Sequence, residues 1–128
     1  MRRIQHFING QHKEGTSGRS SDVYDPATGK VQAQVDLASV AEVHEAVTCA
    51  KTAAVQWSES SLTQRTQIMF RFRELLAART DELARAISSE HGKVVSDAAG
   101  EVARGLENVE FACGIAHQLK GEINEQVS

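Results

Sequence analysis

Two cysteines, five histidines and a charged run late in the chain are the residues of this 128-residue sequence that bear on chemistry. A cysteine is a nucleophile or a metal ligand as its thiolate, which needs a base or positive charge nearby. Cys49 and Cys113 stand far apart, with no CxxC and no histidine at metal-ligand spacing. Neither a disulfide framework nor a thiolate metal site is expected, and both read as small buried or half-buried thiols on helices. His6, His12, His44, His91 and His117 never fall at i, i+4, so a zinc site has no support. Arg104 has Glu101 and Glu107 three residues to either side. On the residues alone it is a surface cation in weak pairs worth about 0.3 kcal/mol. Glu90 reads as a solvated charge and His91 as a hydrogen-bonding residue at a helix end. The GxGxxG, GxxxxGK[ST], HExxH and GxSxG patterns are absent.

The elements that must carry these residues change character part-way along. Phe7-Ile8-Asn9-Gly10-Gln11 places an Asn-Gly pair after an apolar run and predicts a tight hairpin. Asp22-Val23-Tyr24 reads as a short strand, stopped by the turn Asp25-Pro26-Ala27-Thr28-Gly29. Lys30 to Leu37 alternates: Val31, Ala33, Val35 and Leu37 face a core, and Gln32, Gln34 and Asp36 face water. Residues 1–38 are thus expected to form an antiparallel strand unit, and residues 39–121 about four amphipathic helices, an α+β segment. Ser39 with Glu42 and Ser61 with Gln64 are capping-box pairs opening the first two helices. Their apolar stripes are Val43, Ala46, Val47, Ala50, Ala54 and Trp57, then Ile68, Met69, Phe72, Leu75 and Leu76. Trp57 and Phe72 are expected to anchor packing between helices. Thr80 should cap a third helix that Gly92 ends, and a fourth should run from Val94 to Leu119, with Gly121 stopping it.

Composition narrows the function classes. A formal charge of −3 leaves no basic excess for nucleic acid or an anionic membrane. No apolar run approaches the roughly 20 residues of a membrane span, and the N-terminus lacks the apolar core of a secretion signal. A cytoplasmic location is expected. Hydrophobic residues make up 41% but aromatics only 5%, so the core is expected to be thin unless further polypeptide covers it. An isolated chain should expose apolar patches, and either oligomerise or be marginally stable.

The order of motifs resembles the start of the aldehyde dehydrogenase superfamily. Phe7-Ile8-Asn9-Gly10 is similar to its opening hairpin, and Tyr24 to Val31 to its NPATGEV turn, with Asp25 for the usual Asn. Ala54-Val55-Gln56-Trp57 is similar to its AAFxxW helix end, and Leu75 to Leu83 to its LxxLIxxxxDEL stretch. Ile87 to Lys93, Asp97 to Glu101, Arg104 to Ala112 and Leu119 to Glu122 together resemble the CoA-acylating methylmalonate-semialdehyde dehydrogenase subfamily.

This resemblance implies a single partial domain over residues 1–128, the N-terminal part of the NAD-binding domain of an α/β enzyme. The full-length enzyme would use a cysteine thiolate, NAD and CoA to convert a malonate or methylmalonate semialdehyde, with loss of CO2, to acetyl-CoA or propionyl-CoA. Its catalytic cysteine, oxyanion donor and cofactor loop would lie beyond residue 128. No catalytic residue and no bound cofactor are therefore expected in the segment, which by itself should be inactive. The alternative is an inactive structural or oligomerisation module. Arg104 matches a position where the subfamily carries an arginine facing the substrate entrance; a guanidinium can grip both oxygens of a carboxylate. Gly105 would give that carboxylate room. Glu90 matches the region of an acid that helps hold a monovalent cation. The implied partners are the remainder of the chain, other copies in a homo-oligomer and the semialdehyde.

Overall fold

The structure, a computed structural model, describes residues 1–123 and 125. Five strands lead into five helices, and two compact units emerge. One comprises Met1–Glu59 with Ile87–Lys93; the other takes Ser60–Ala86 and the chain from Val94.

In the first unit, β2 (His6–Ile8) and β3 (Gln11–Lys13) pair antiparallel from His6↔Lys13 to Ile8↔Gln11. Asn9 (φ 54°) and Gly10 (φ 74°) both occupy the left-handed region. A two-residue hairpin loop needs that backbone, so the Asn-Gly pair does form the turn it predicted. A second hairpin joins β4 (Ser20–Tyr24) to β5 (Val31–Asp36). Its loop is set by Asp25, whose Oδ1 accepts from Ala27 N at 2.8 Å and whose carbonyl accepts from Gly29 N at 2.8 Å.

The strand unit is not wholly antiparallel. β1 (Arg2–Ile4) lies parallel to β5, pairing Arg2 with Ala33 and Ile4 with Val35, and the sheet order is β1-β5-β4. Parallel pairing needs a long connection, and the β2–β3 hairpin with β4 supplies it. β5 is thus central, which also corrects the reading of its two faces. Ala33 is 2% exposed as expected, but Asp36, assigned to the wet face, is 4% exposed, while Leu37 is exposed. The alternation fails at Asp36 because Arg3 and the backbone of Gly15 supply it with hydrogen bonds in place of water.

The unit also contains α1 (Val40–Glu59) and the end of α3 (Thr80–His91). Gly92 closes α3 with φ +79°, its N–H donating to Ser88 O at 2.9 Å. A Cβ there would stand 3.1 Å from Pro26 Cγ. Gly92→Ala should therefore cost about 1–2 kcal/mol for left-handed backbone, read as a lower urea midpoint at unchanged slope. Gly92→Asn should lose less, because Asn tolerates that conformation; equal losses would remove the backbone explanation.

In the second unit α2 (Leu62–Ala78) opens with the capping box: Gln64 N donates to Ser61 Oγ at 3.2 Å, and Ser61 N to Gln64 Oε1 at 3.0 Å. Thr80 does not cap α3. No Gly or Pro interrupts the chain there, so α3 follows α2 after Arg79 alone, and Thr80 Oγ1 donates back to Ala77 O at 3.0 Å. The fourth helix is divided, α4 (Val95–Cys113) breaking at Gly114 before the short α5 (Ile115–Gln118). Ala98, Val102 and Cys113 form its buried face, and Arg73 of α2 grips Glu110 of α4 at 2.6 Å.

The predicted apolar stripes are only partly covered. Val43, Val47 and Trp57 of α1, and Ile68, Phe72 and Leu75 of α2, are each about half exposed, with Phe72 at 48%. Trp57 and Phe72, expected to anchor packing between helices, are among these half-exposed residues. No large apolar side chain is fully buried among the described residues. Among those residues, no helix is long and apolar enough to cross a membrane.

Candidate functional site

Arg104 lies midway along α4 on an exposed face. Helical side chains lean toward the N-terminus, and its Nη1 lies 3.9 Å from where a Cβ on Gly100 would sit. The guanidinium thus lies back over Gly100, one turn earlier, at a distance where even a Cβ would make only ordinary van der Waals contact. A Cβ on Gly105 would meet nothing within 4 Å, so the neighbouring surface is open. The Arg104 carbonyl accepts from Asn108 Nδ2 at 2.9 Å, which ties down the backbone and leaves the guanidinium uncommitted. Arg104 forms no ion pair with Glu107 among the described residues. A charged five-donor fork in an open glycine-flanked setting is suited to bind a carboxylate.

Glu90 occupies the last turn of α3, its side chain 62% exposed and Oε1 3.7 Å from Arg2 Nη2. The turn at residues 25–30 lies beside this helix end. Gln32 Nε2 bridges Tyr24 O at 3.2 Å and Ser89 O at 3.3 Å, and Gly92 abuts Pro26. The structure thus sets the end of α3 that carries Glu90 beside that turn, with Arg2 already a counter-charge for Glu90. No group of three or more His, Cys, Asp or Glu is placed to hold a metal ion among the described residues. Cys113 is buried and Cys49 half-buried, both as free thiols.

Two other ionised groups were not legible as special. Glu42, in the first turn of α1, is 4% exposed. Its Oε2 accepts from Ser39 N at 2.7 Å and Ser39 Oγ at 2.8 Å, completing the expected capping box. Its Oε1 reaches across to accept from Thr16 N at 2.7 Å. These bonds, the Ser39 backbone foremost and then Thr16, hold its carboxyl at about 2. Asp36 accepts from Gly15 N at 2.8 Å and Arg3 Nε at 2.6 Å. Chiefly the Gly15 N–H, and then Arg3, hold it below the usual range against an opposing effect of burial. The two carboxylates clamp consecutive residues, Gly15 and Thr16, of one loop. Only the Ser39 spacing signalled any of this in sequence, since the Thr16 and Gly15 partners come from distant chain.

A carboxyl depressed in the folded state adds stability above its unfolded value, and that stability vanishes as pH falls through its folded value. For Glu42 the window runs from 4.5 down to about 2. Acid titration followed by circular dichroism should show stability falling through that window, with a shallower fall in Glu42→Gln. An unchanged profile in the variant would remove Glu42 as the cause.

The sequence profile of the aldehyde dehydrogenase family matches residues 12–128. The chain belongs to that family. It is similar to malonate-semialdehyde dehydrogenase 3 of Geobacillus kaustophilus, 45% identical over 119 residues, covering 93% of this chain and 25% of that protein. Among solved structures it is similar to the methylmalonate-semialdehyde dehydrogenase of Oceanimonas doudoroffii. That likeness has a TM-score of 0.92 and 45% identity, over 100% of this chain and 26% of the other. An NAD-dependent aldehyde dehydrogenase of Sinorhizobium meliloti matches at TM-score 0.86 and 31% identity, over 98% and 26%. The chain thus spans about a quarter of the length of these relatives. Its strands and helices are the aldehyde dehydrogenase architecture over that quarter, and the expected superfamily membership holds.

Proposed function

We propose that this chain is the N-terminal portion of a cytoplasmic, NAD-dependent, CoA-acylating malonate- or methylmalonate-semialdehyde dehydrogenase, and that Arg104 binds the substrate carboxylate. The observation that carries the reading is the uncommitted Arg104 guanidinium between Gly100 and Gly105, on a chain similar to semialdehyde dehydrogenases along nearly all its length. Bound in the whole enzyme, NAD would supply the hydride acceptor and CoA the acyl acceptor, and with the substrate carboxylate lost as CO2 the product would be acetyl-CoA or propionyl-CoA. This chain's residues offer neither cofactor a glycine loop or a reactive thiol, so its share of the chemistry is orientation. Arg104 fixes the carboxylate end of the substrate, and the aldehyde end is thereby aimed at a nucleophile supplied by later sequence. By itself the chain is inactive. Glu90 would join backbone oxygens of the neighbouring turn around a monovalent cation once Arg2 swings away.

The half-exposed stripes of α1 and of α2 support docking on the remainder of a dehydrogenase chain and, through it, assembly into a homo-oligomer. A chimera tests the reading: this chain replaces the corresponding quarter of the Geobacillus kaustophilus relative, and NADH formation is followed. The chimera should turn over malonate semialdehyde in a CoA-dependent manner. Retained activity on propanal with none on the carboxylated substrate would overturn the assignment.

A further inference from the structure

We propose that His6 is a proton-operated latch fastening the β2–β3 hairpin to the first turn of α1. The His6 side chain is 17% exposed and its Nε2 is buried with no hydrogen-bond partner among the described residues. Such an orphaned polar atom is costly to hold. That nitrogen stands 3.9 Å from Oε1 of Glu42, too far for a hydrogen bond. Glu42 is the complementary anomaly. Its buried charge is held by neutral donors of Ser39 and Thr16, and no Lys or Arg pairs with it among the described residues. An imidazolium carries an N–H on both nitrogens and a positive charge. A closure of about 1 Å would then give a charge-assisted bond to Glu42.

The surroundings permit that movement. A cavity of about 280 Å³ separates hairpin from helix, lined by Phe7 and Ile8 on one side and Val43 and Val47 on the other. Apolar contact between the two is therefore incomplete, and polar ties matter. Lys13, cross-strand from His6, is tied to Glu45 of α1 at 2.6 Å through an exposed pair that salt weakens. Around His6 stand Glu42 of α1, 3.9 Å away, Asp36 at the end of β5, close enough to feel its charge, and Lys13, its cross-strand partner. Arg3 is taken by Asp36, and Lys13 by Glu45. Glu42 is left as the anion without a cation. It stays ionised across the range in which imidazoles titrate, about pH 5 to 8. Docking of the hairpin therefore strengthens as pH falls through that range.

Nuclear magnetic resonance on the chain tests this. Between pH 8 and 5.5, the His6 ring and the amides of Thr16 and Ser39, which donate to Glu42, should shift with a common inflection. Hydrogen exchange of the hairpin amides, corrected for its intrinsic pH dependence, should slow by a factor of about 3–10 over the same interval. The response should vanish in His6→Gln and persist in His12→Gln, which removes the other hairpin imidazole. A response unchanged in His6→Gln would overturn the latch. So would a wild-type chain in which the Thr16 and Ser39 amides do not follow the His6 ring, a measurement that needs no variant to fold.

Discussion

Replacing Glu42 by alanine is expected to lower the melting temperature by about 10 °C or more, or to leave the chain unfolded. Truncation strands the N–H groups of Ser39 and Thr16, both donating to Glu42 at 2.7 Å. It also removes the acceptor for Ser39 Oγ, so the α1 cap and the loop anchorage fail together. Both bonds are part-buried, so the freed donors recover only some of their hydrogen bonding from water. Little large-side-chain core offsets the loss, since the fully buried apolar residues are mostly alanines. Glu42→Gln should be milder, because a carboxamide oxygen still accepts from one side. Thermal melts of the two variants at neutral pH distinguish the cases. A Glu42→Ala protein melting within a few degrees of the parent would show that the clamp is redundant with Asp36.

The second large effect concerns Arg104. In the chimera, Arg104→Ala should lower kcat/KM for malonate semialdehyde by a factor of about 10²–10³, as expected when one partner of a charge-assisted pair is removed. Propanal turnover, which needs no cation, should change by less than about threefold. Arg104→Lys should fall between the two, since an ammonium supplies charge without the fork. Steady-state kinetics on both aldehydes read the result. Equal losses on both would mean that Arg104 supports the fold of α4 and does not hold the substrate.

The residues announced the elements well where the cause was local. Asn9-Gly10 required left-handed backbone and turned the chain, Ser61 and Gln64 closed their reciprocal cap, and Gly92 ended α3. Errors arose where distant chain intervened. Arg2-Arg3-Ile4 has too little alternation to mark a strand, and its parallel place beside β5 depends on partners some thirty residues away. Asp36 looked like a solvent-facing member of an alternating strand, and Arg3 and Gly15 reversed that. Thr80 resembled a cap because hydroxyls favour caps, yet the chain between α2 and α3 never leaves helical geometry long enough to need one. Arg104 was not legible in that way: its own neighbours made it a surface cation beside Glu101 and Glu107, and only the family resemblance singled it out. The Glu42–Thr16 contact and the orphaned His6 nitrogen have no short-range signature.

The parallel pairing of β1 with β5 also sets a timetable for synthesis. β2–β3 and β4–β5 are hairpins and can close as soon as they emerge, since loop closure over so few residues is fast. Arg2 cannot meet Ala33 until β5 has been made. At ribosomal rates of about 5–20 residues per second, the first strand waits roughly 2–6 s for its partner. During that interval the nascent chain carries an open edge that only its own later residues can fill, and Arg2 and Arg3, two charges on it, discourage pairing with a neighbour.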